Sequence, residues 1–210
     1  MEKNKNFYVL ILTSGSQAFG GPTYGTKYDL INACKYCGTG AEAIGPRITS
    51  GLDKKRKGFF SNLDGELFVD LKLATAFSHL GLKNLEKVIS PRGMVFPFME
   101  IREEATLPPF SKETTGFIRE NQCEHCYRDG HFNEVNEPLN LVYNSIDNDL
   151  LQKDFLKTYE CFGRSFLRPP LKDSTFACPQ CIVSERVIDL LKHEKVRRFT
   201  FFPIKILNFD

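Results

Sequence analysis

The sequence predicts an α+β protein: a mixed sheet with few helices, a duplicated strand–helix–strand unit, and a four-cysteine zinc-knuckle site. Three observations lead there. Residues 68–85 (FVDLKLATAFSHLGLKNL) and 182–199 (IVSERVIDLLKHEKVRRF), set in register, agree in apolar and polar character nearly throughout. Three Cys-x-x-Cys pairs punctuate the chain: Cys34/Cys37, Cys123/Cys126 and Cys178/Cys181. Elsewhere the apolar runs are short and cut by Gly and Pro, the pattern of strands and loops.

From the N-terminus, the apolar run Phe7–Leu12 is too short for a membrane span or a signal-peptide core, so it reads as a strand opening a soluble, cytoplasmic protein. Residues 13–30, rich in Gly, Ser and Thr, read as a long surface loop. In the first repeat Phe68-Val69 ends a strand and Asp70 is an N-cap. Leu73, Ala76, Phe77 and Leu80 then recur at helical spacing up to Gly81, a C′ residue. In the second, Ile182-Val183 ends the strand, Ser184 is the cap, and Val187, Leu190 and Leu191 form the stripe. A strand follows each helix, near residues 85–89 and 199–207. Residues 95–103 read as a strand whose Pro97 suits a sheet edge, because proline has no N–H to give a ladder. Leu107-Pro108-Pro109 and Arg168-Pro169-Pro170 break regular structure. Residues 147–159 read as a short helix with Leu150, Leu151 and Phe155 on one side.

The 210 residues are 41% hydrophobic with 19 Phe and 7 Tyr, enough for a real core. The repeat makes residues 1–210 a single domain of two pseudo-equivalent halves, about 1–115 and 116–210, each with a Cys pair ahead of its helical unit. A formal net charge of +2 does not call for a polyanionic partner, so nucleic acid is not expected.

In a reducing compartment paired cysteines are more often metal ligands than disulfides, and seven cysteines leave one over. Two pairs brought together make a tetrahedral thiolate cage, the usual structural zinc site. In Cys34-Lys35-Tyr36-Cys37-Gly38 the glycine permits the left-handed turn of a knuckle. Cys123-Glu124-His125-Cys126-Tyr127 and Cys178-Pro179-Gln180-Cys181-Ile182 lack that glycine. One pair from each half favours Cys34, Cys37, Cys123 and Cys126 as ligands of a structural Zn2+, with Cys178 and Cys181 as an additional pair that could bind metal. Cys161, the odd one, reads as a buried small apolar residue. His125 and His131 lie beside the second pair and could replace a thiolate, although His131 is better read as a loop residue after the Asp129-Gly130 turn. His79 and His193 match in the repeat and read as helix C-terminal imidazoles facing the dipole.

Other chemistry finds little support. Residues 20–27 (GGPTYGTK) lack the Gly-Lys-Ser/Thr close of a phosphate loop, and Gly38-Thr39-Gly40 lacks the spacing of a dinucleotide fingerprint. Lys54-Lys55-Arg56-Lys57 reads as a solvated turn. A redox pair wants its thiolate at the helix N-terminus itself, and Cys181 stops short of the cap Ser184. There is no Ser/His/Asp or Cys/His constellation, and a Cys-only zinc site is closed to substrate. The residues themselves therefore do not point to an enzyme. The alternative is a zinc-ribbon nucleic-acid-binding or regulatory module drawing on Lys54–Lys57, Arg197 and Arg198; a thiol oxidoreductase comes third.

The paired Cys-x-x-Cys, first as Cys-Lys-Tyr-Cys-Gly, resemble the bacterial double-CXXCG motif family, whose members are described as immunity proteins of contact-dependent toxin systems. The C-terminal segment is the closer match: Ile146-Asp147, Lys153-Asp154-Phe155, Val183-Ser184-Glu185-Arg186-Val187, and the ending LKHEKVRRFTFFPIKI from Leu191 to Ile206. The resemblance covers most of the chain in order, its specific parts being the Cys pairs and the C-terminal unit. It implies a cytoplasmic binding protein, with no catalytic residues of its own, that binds and neutralises a cognate protein toxin, with zinc in a structural role and no membrane partner. Tyr127 in place of glycine, and the third pair Cys178/Cys181, depart from the family pattern.

Overall fold

Consecutive side chains are buried along the central strands, so both sheet faces are covered there. In β1 (Phe7–Leu12), Phe7 and Val9 enter one apolar cluster and Leu10 another. The computed structural model describes residues 6–13, 15–82 and 84–207. After β1 come β2 (Lys27–Asp29), β3 (Glu42–Ile44), β4 (Arg47–Ile48), β5 (Phe59–Ser61), β6 (Leu67–Asp70), α1 (Leu71–His79), β7 (Leu85–Ile89) and β8 (Val95–Ile101). Then follow β9 (Ala105–Thr106), β10 (Phe117–Arg119), β11 (His131–Asn133), β12 (Val142–Tyr143), α2 (Asn148–Leu151) and β13 (Phe155–Phe162). The chain closes with β14 (Cys178–Ser184), α3 (Glu185–His193), β15 (Phe199–Pro203) and β16 (Lys205–Ile206).

Two five-stranded mixed sheets result, ordered β15-β1-β14-β13-β9 and β4-β7-β8-β6-β5, so the α+β expectation holds. One apolar cluster lies between them. It takes Leu10, Phe155 and Val183 from the first sheet, Phe59, Val69 and Ile101 from the second, and Phe77 and Leu191 from α1 and α3. The Phe77 ring stands edge-on to both Phe59 and Phe155. A second cluster covers the outer face of the first sheet, where Leu141 and Tyr143 sit over Val9, Leu156 and Ile182. A third covers the other sheet with Phe60, Phe68, Phe96 and Phe98. Among the described residues no helix is long and apolar enough to cross a membrane.

The two helices that follow β6 and β14 end alike. At α1 the N–H of Gly81 bonds to Ser78 O and that of Leu82 to Phe77 O; at α3 Lys195 bonds to Lys192 O and Val196 to Leu191 O. Both are Schellman closures through a left-handed residue, Gly81 in one and Lys195 in the other. β6 and β7 flank β8, as β14 and β15 flank β1. Because β1 crosses to the C-terminal strands, a division near residue 115 does not separate the sheets. The N-caps differ: Asp70 accepts from Leu73 N at 2.9 Å, whereas Ser184 makes no capping bond and donates instead to Asp154.

Several elements depart from expectation. β8 is interior, not an edge, and Pro97 is tolerated because pairing to β6 starts at Phe98 and pairing to β7 is irregular between Lys87 and Ile89. The helix expected over 147–159 stops at Leu151; Phe155 and Leu156 are fully buried on opposite faces of β13, and sheet pairing overrides the helical spacing. Within 13–30, Ser16, Ala18 and Thr26 are buried and β2 forms, so this is not simply a surface loop. His131 lies in β11 and is buried rather than in a loop.

Beneath the second cluster, Glu160 accepts from Phe110 N at 3.1 Å, while its Oε2 and the Tyr143 hydroxyl find no partner among the described residues. Burial pushes the Glu160 carboxyl up to about 7. A folded-state value above the unfolded one means the folded chain holds the extra proton, so this group's contribution to stability falls as pH rises from about 4.5 to about 7. Glu160→Gln is therefore expected to stabilise the protein at pH 8 by roughly 2–3 kcal/mol and to flatten that limb of the stability–pH curve, measured by urea unfolding. An unchanged curve would refute the assignment.

Candidate metal centre

Each of the first two Cys pairs sits in the loop that closes a two-stranded ribbon. Cys34 and Cys37 lie between β2 and β3, and Cys123 and Cys126 between β10 and β11. The loops turn the same way. Gly38, at φ 85°, donates its N–H to Cys34 O at 2.8 Å; Tyr127, at φ 54°, donates to Cys123 O at 2.9 Å. One residue further on, Thr39 N–H points at Cys37 Sγ (3.5 Å) and Arg128 N–H at the Cys126 sulfur.

Residues 89 positions apart then meet as counterparts. Cys34 Sγ is 3.9 Å from Cys123 Sγ, and Cys37 Sγ is 3.6 Å from Cys126 Sγ. The Tyr36 and His125 rings stack with centroids 3.4 Å apart and planes at 13°. All four sulfurs lie within 4.8 Å of one another, so the group can hold a metal ion. A tetrahedral site with metal–sulfur bonds near 2.3 Å has sulfur–sulfur edges of about 3.8 Å, close to both cross-ribbon distances.

The environment favours at least one thiolate. Burial works against ionisation of Cys34, but the backbone N–H groups of Cys37 and Tyr36 and the neighbouring thiols outweigh it and bring Cys34 to about 7. For Cys37 burial dominates and pushes the thiol up, against the Thr39 hydroxyl at 3.0 Å. Metal binding must displace that proton. Behind the second loop, the buried Asp129 carboxylate accepts from Cys123 N at 2.9 Å and from Ser165 N at 3.1 Å, tying the knuckle to the segment after β13. The first loop packs on Phe176: a Cβ at Gly38 would lie 2.6 Å from its ring.

This pair of turns yields a prediction. Tyr127 adopts a backbone that costs a non-glycine residue about 1–2 kcal/mol, part of which glycine returns as unfolded-chain entropy. Tyr127→Gly is expected to raise stability by about 0.5–1 kcal/mol with metal content unchanged. Gly38→Ala, strained and crowded by Phe176, is expected to lower it by about 2 kcal/mol. Thermal unfolding of the metal-bound proteins separates the two signs.

The third pair behaves differently. Cys178 and Cys181 lie on the extended strand β14 and join no group of three or more ligands among the described residues. Cys178 Sγ bonds to Asp64 O at 2.8 Å, and Cys181 is buried in the cluster between the sheets, where burial holds its thiol well above the usual range. That is unfavourable for an attacking thiolate. Cys161 is buried in β13 as expected, its thiol pushed by burial up to about 12. His125 is exposed and stacked on Tyr36, and His79 and His193 end their helices in solvent. Asp129 and the Tyr36–His125 stack escape a sequence reading, although the matched Cys-x-aromatic-Cys order hints at the stack.

No family model matches the chain, and no curated protein matches it either.

Proposed function

We propose that this chain is a zinc-stapled, cytoplasmic, immunity-type protein that binds and neutralises a cognate bacterial toxin, Zn2+ being held by Cys34, Cys37, Cys123 and Cys126 and serving structure alone. The observation that carries the reading is the four-thiol cage formed by two matched ribbon loops. Four thiols complete a tetrahedral shell and leave no position for substrate, which suits a rigid binding scaffold better than a catalyst. Neutralisation needs such a scaffold, presenting aromatic and Arg anchors to the toxin. We further propose that the β6–α1–β7 and β14–α3–β15 segments are a duplicated unit; their shared Schellman closures and the way each pair of strands flanks one other strand support it.

The test is protection. Cells producing the toxin encoded beside this chain should survive when it is co-produced, and a tagged chain should capture that toxin. Survival should be lost with Cys34→Ser, which removes the staple. Failure of the wild-type chain to protect against any adjacent toxin would sink the proposal.

A further inference from the structure

Two basic stretches far apart in sequence meet at one groove. Its volume is about 610 Å³, and its walls include Arg56, Lys57, Lys72, Lys195, Arg197 and Arg198. The carboxylates in its lining, Asp70 and Glu194, are already engaged. Asp70 accepts from Leu73 N (2.9 Å) and Gly58 N (2.6 Å), and Glu194 pairs with Lys72 at 2.7 Å. Arg56 lies over the Phe60 ring and donates to Gly15 O at 2.8 Å. Lys57, Lys195, Arg197 and Arg198 are exposed and pair with no carboxylate among the described residues. Among the described lining residues six cations stand against two engaged carboxylates, a formal excess of four that exceeds the net +2 of the whole chain, so positive charge is concentrated on this face. The turn that presents three of them is anchored, with Arg198 O accepting Thr13 N at 2.9 Å.

We propose that this groove is the docking site for an acidic polypeptide segment, a run of Asp or Glu side chains on the partner; that the partner is a toxin rests on the function proposed above. Charge complementarity selects the occupant, and Arg197 and Arg198 offer the planar fork that grips carboxylates. A polyphosphate chain fits less well. Among the described residues its lining holds one aromatic ring, Phe59, which is 2% exposed and offers bases no stacking surface, and the whole-chain charge is low for a nucleic-acid binder.

The experiment uses the full metal-bound chain and a fluorescein-labelled deca-glutamate peptide, read by anisotropy. Wild-type protein should bind it in a salt-sensitive manner. Lys57→Glu with Arg197→Glu should weaken binding at least about tenfold. Lys87→Glu with Lys112→Glu, an equal charge change outside the groove, should alter it less than about twofold. All these side chains are exposed, and circular dichroism checks that the variants fold. Absence of peptide binding, equal weakening by both double variants, or tighter binding of single- or double-stranded DNA of about 20 nucleotides would each overturn the proposal. A groove variant that loses the peptide yet still protects cells overturns the groove as the toxin contact and leaves the toxin reading standing. A wild type that binds the peptide through the groove but protects against nothing supports the groove and sinks only that reading.

Discussion

Protein purified under reducing conditions without added metal is expected to carry one zinc ion per chain, and Cys34→Ser or Cys123→Ser to lose both the ion and several kcal/mol of stability. The sulfur atoms already stand at the separations a tetrahedral ion requires. Structural zinc in small peptides contributes about 10–16 kcal/mol of apparent binding free energy, which becomes folding free energy when the apo site is unformed. Here part of the scaffold persists without metal, because the cluster between the sheets takes nothing from either knuckle. The expected loss is therefore smaller, roughly 3–6 kcal/mol, and local: ribbons β2–β3 and β10–β11 should lose hydrogen-exchange protection before the sheets do. Cys161→Ser and Cys178→Ser should leave the metal ratio unchanged. Acidification should release the ion, since protons compete for the thiolates. Metal-free protein with fully protected ribbons would remove the staple from the fold.

The four-cysteine group was legible because Cys-x-x-Cys is a local pattern that needs only a tight turn to aim both sulfurs the same way. The same spacing at Cys178 and Cys181 misleads, since on a strand residues three apart face opposite sides. The helical units were legible through caps and periodicity, down to Gly81 as the closing residue. Residues 147–159 were not: Leu150, Leu151 and Phe155 satisfy helical spacing, and the deciding fact, that Phe155 pairs with Val183, lies far along the chain. The ribbons carrying the four cysteines were invisible for a related reason. Each of their strands has three residues, too few for a pattern, and the contacts at their tips join residues 89 positions apart.

Arg47→Met is expected to cost roughly 3–5 kcal/mol, lowering the melting temperature by roughly 10 °C. Arg47 is buried in β4 between two carboxylates, 2.6 Å from Glu66 and in short contact with Glu100, and donates to the Tyr28 hydroxyl at 2.8 Å. Removing the cation strands Glu66 in a low-dielectric site, while Glu100 keeps Arg102 at 2.8 Å. Burial already raises Glu66 to about 7 against the pull of Arg47, so without Arg47 it would rise further. The folded variant would then hold protons that the unfolded chain releases, and its stability should increase as pH falls from 7 to about 5. Adding Glu66→Gln should recover more than half the loss, because the cost lies in unpaired charge rather than in lost attraction. A penalty below about 1 kcal/mol would show the cluster to be solvated. The effect should also reach the metal: Tyr28 belongs to β2, the base of the ribbon that carries Cys34 and Cys37, and its ring packs on Phe176 beneath Gly38. Loosening that base lowers the fraction of chains with the first knuckle in place, so Arg47→Met should weaken zinc retention in a chelator competition although Arg47 makes no contact with the thiols.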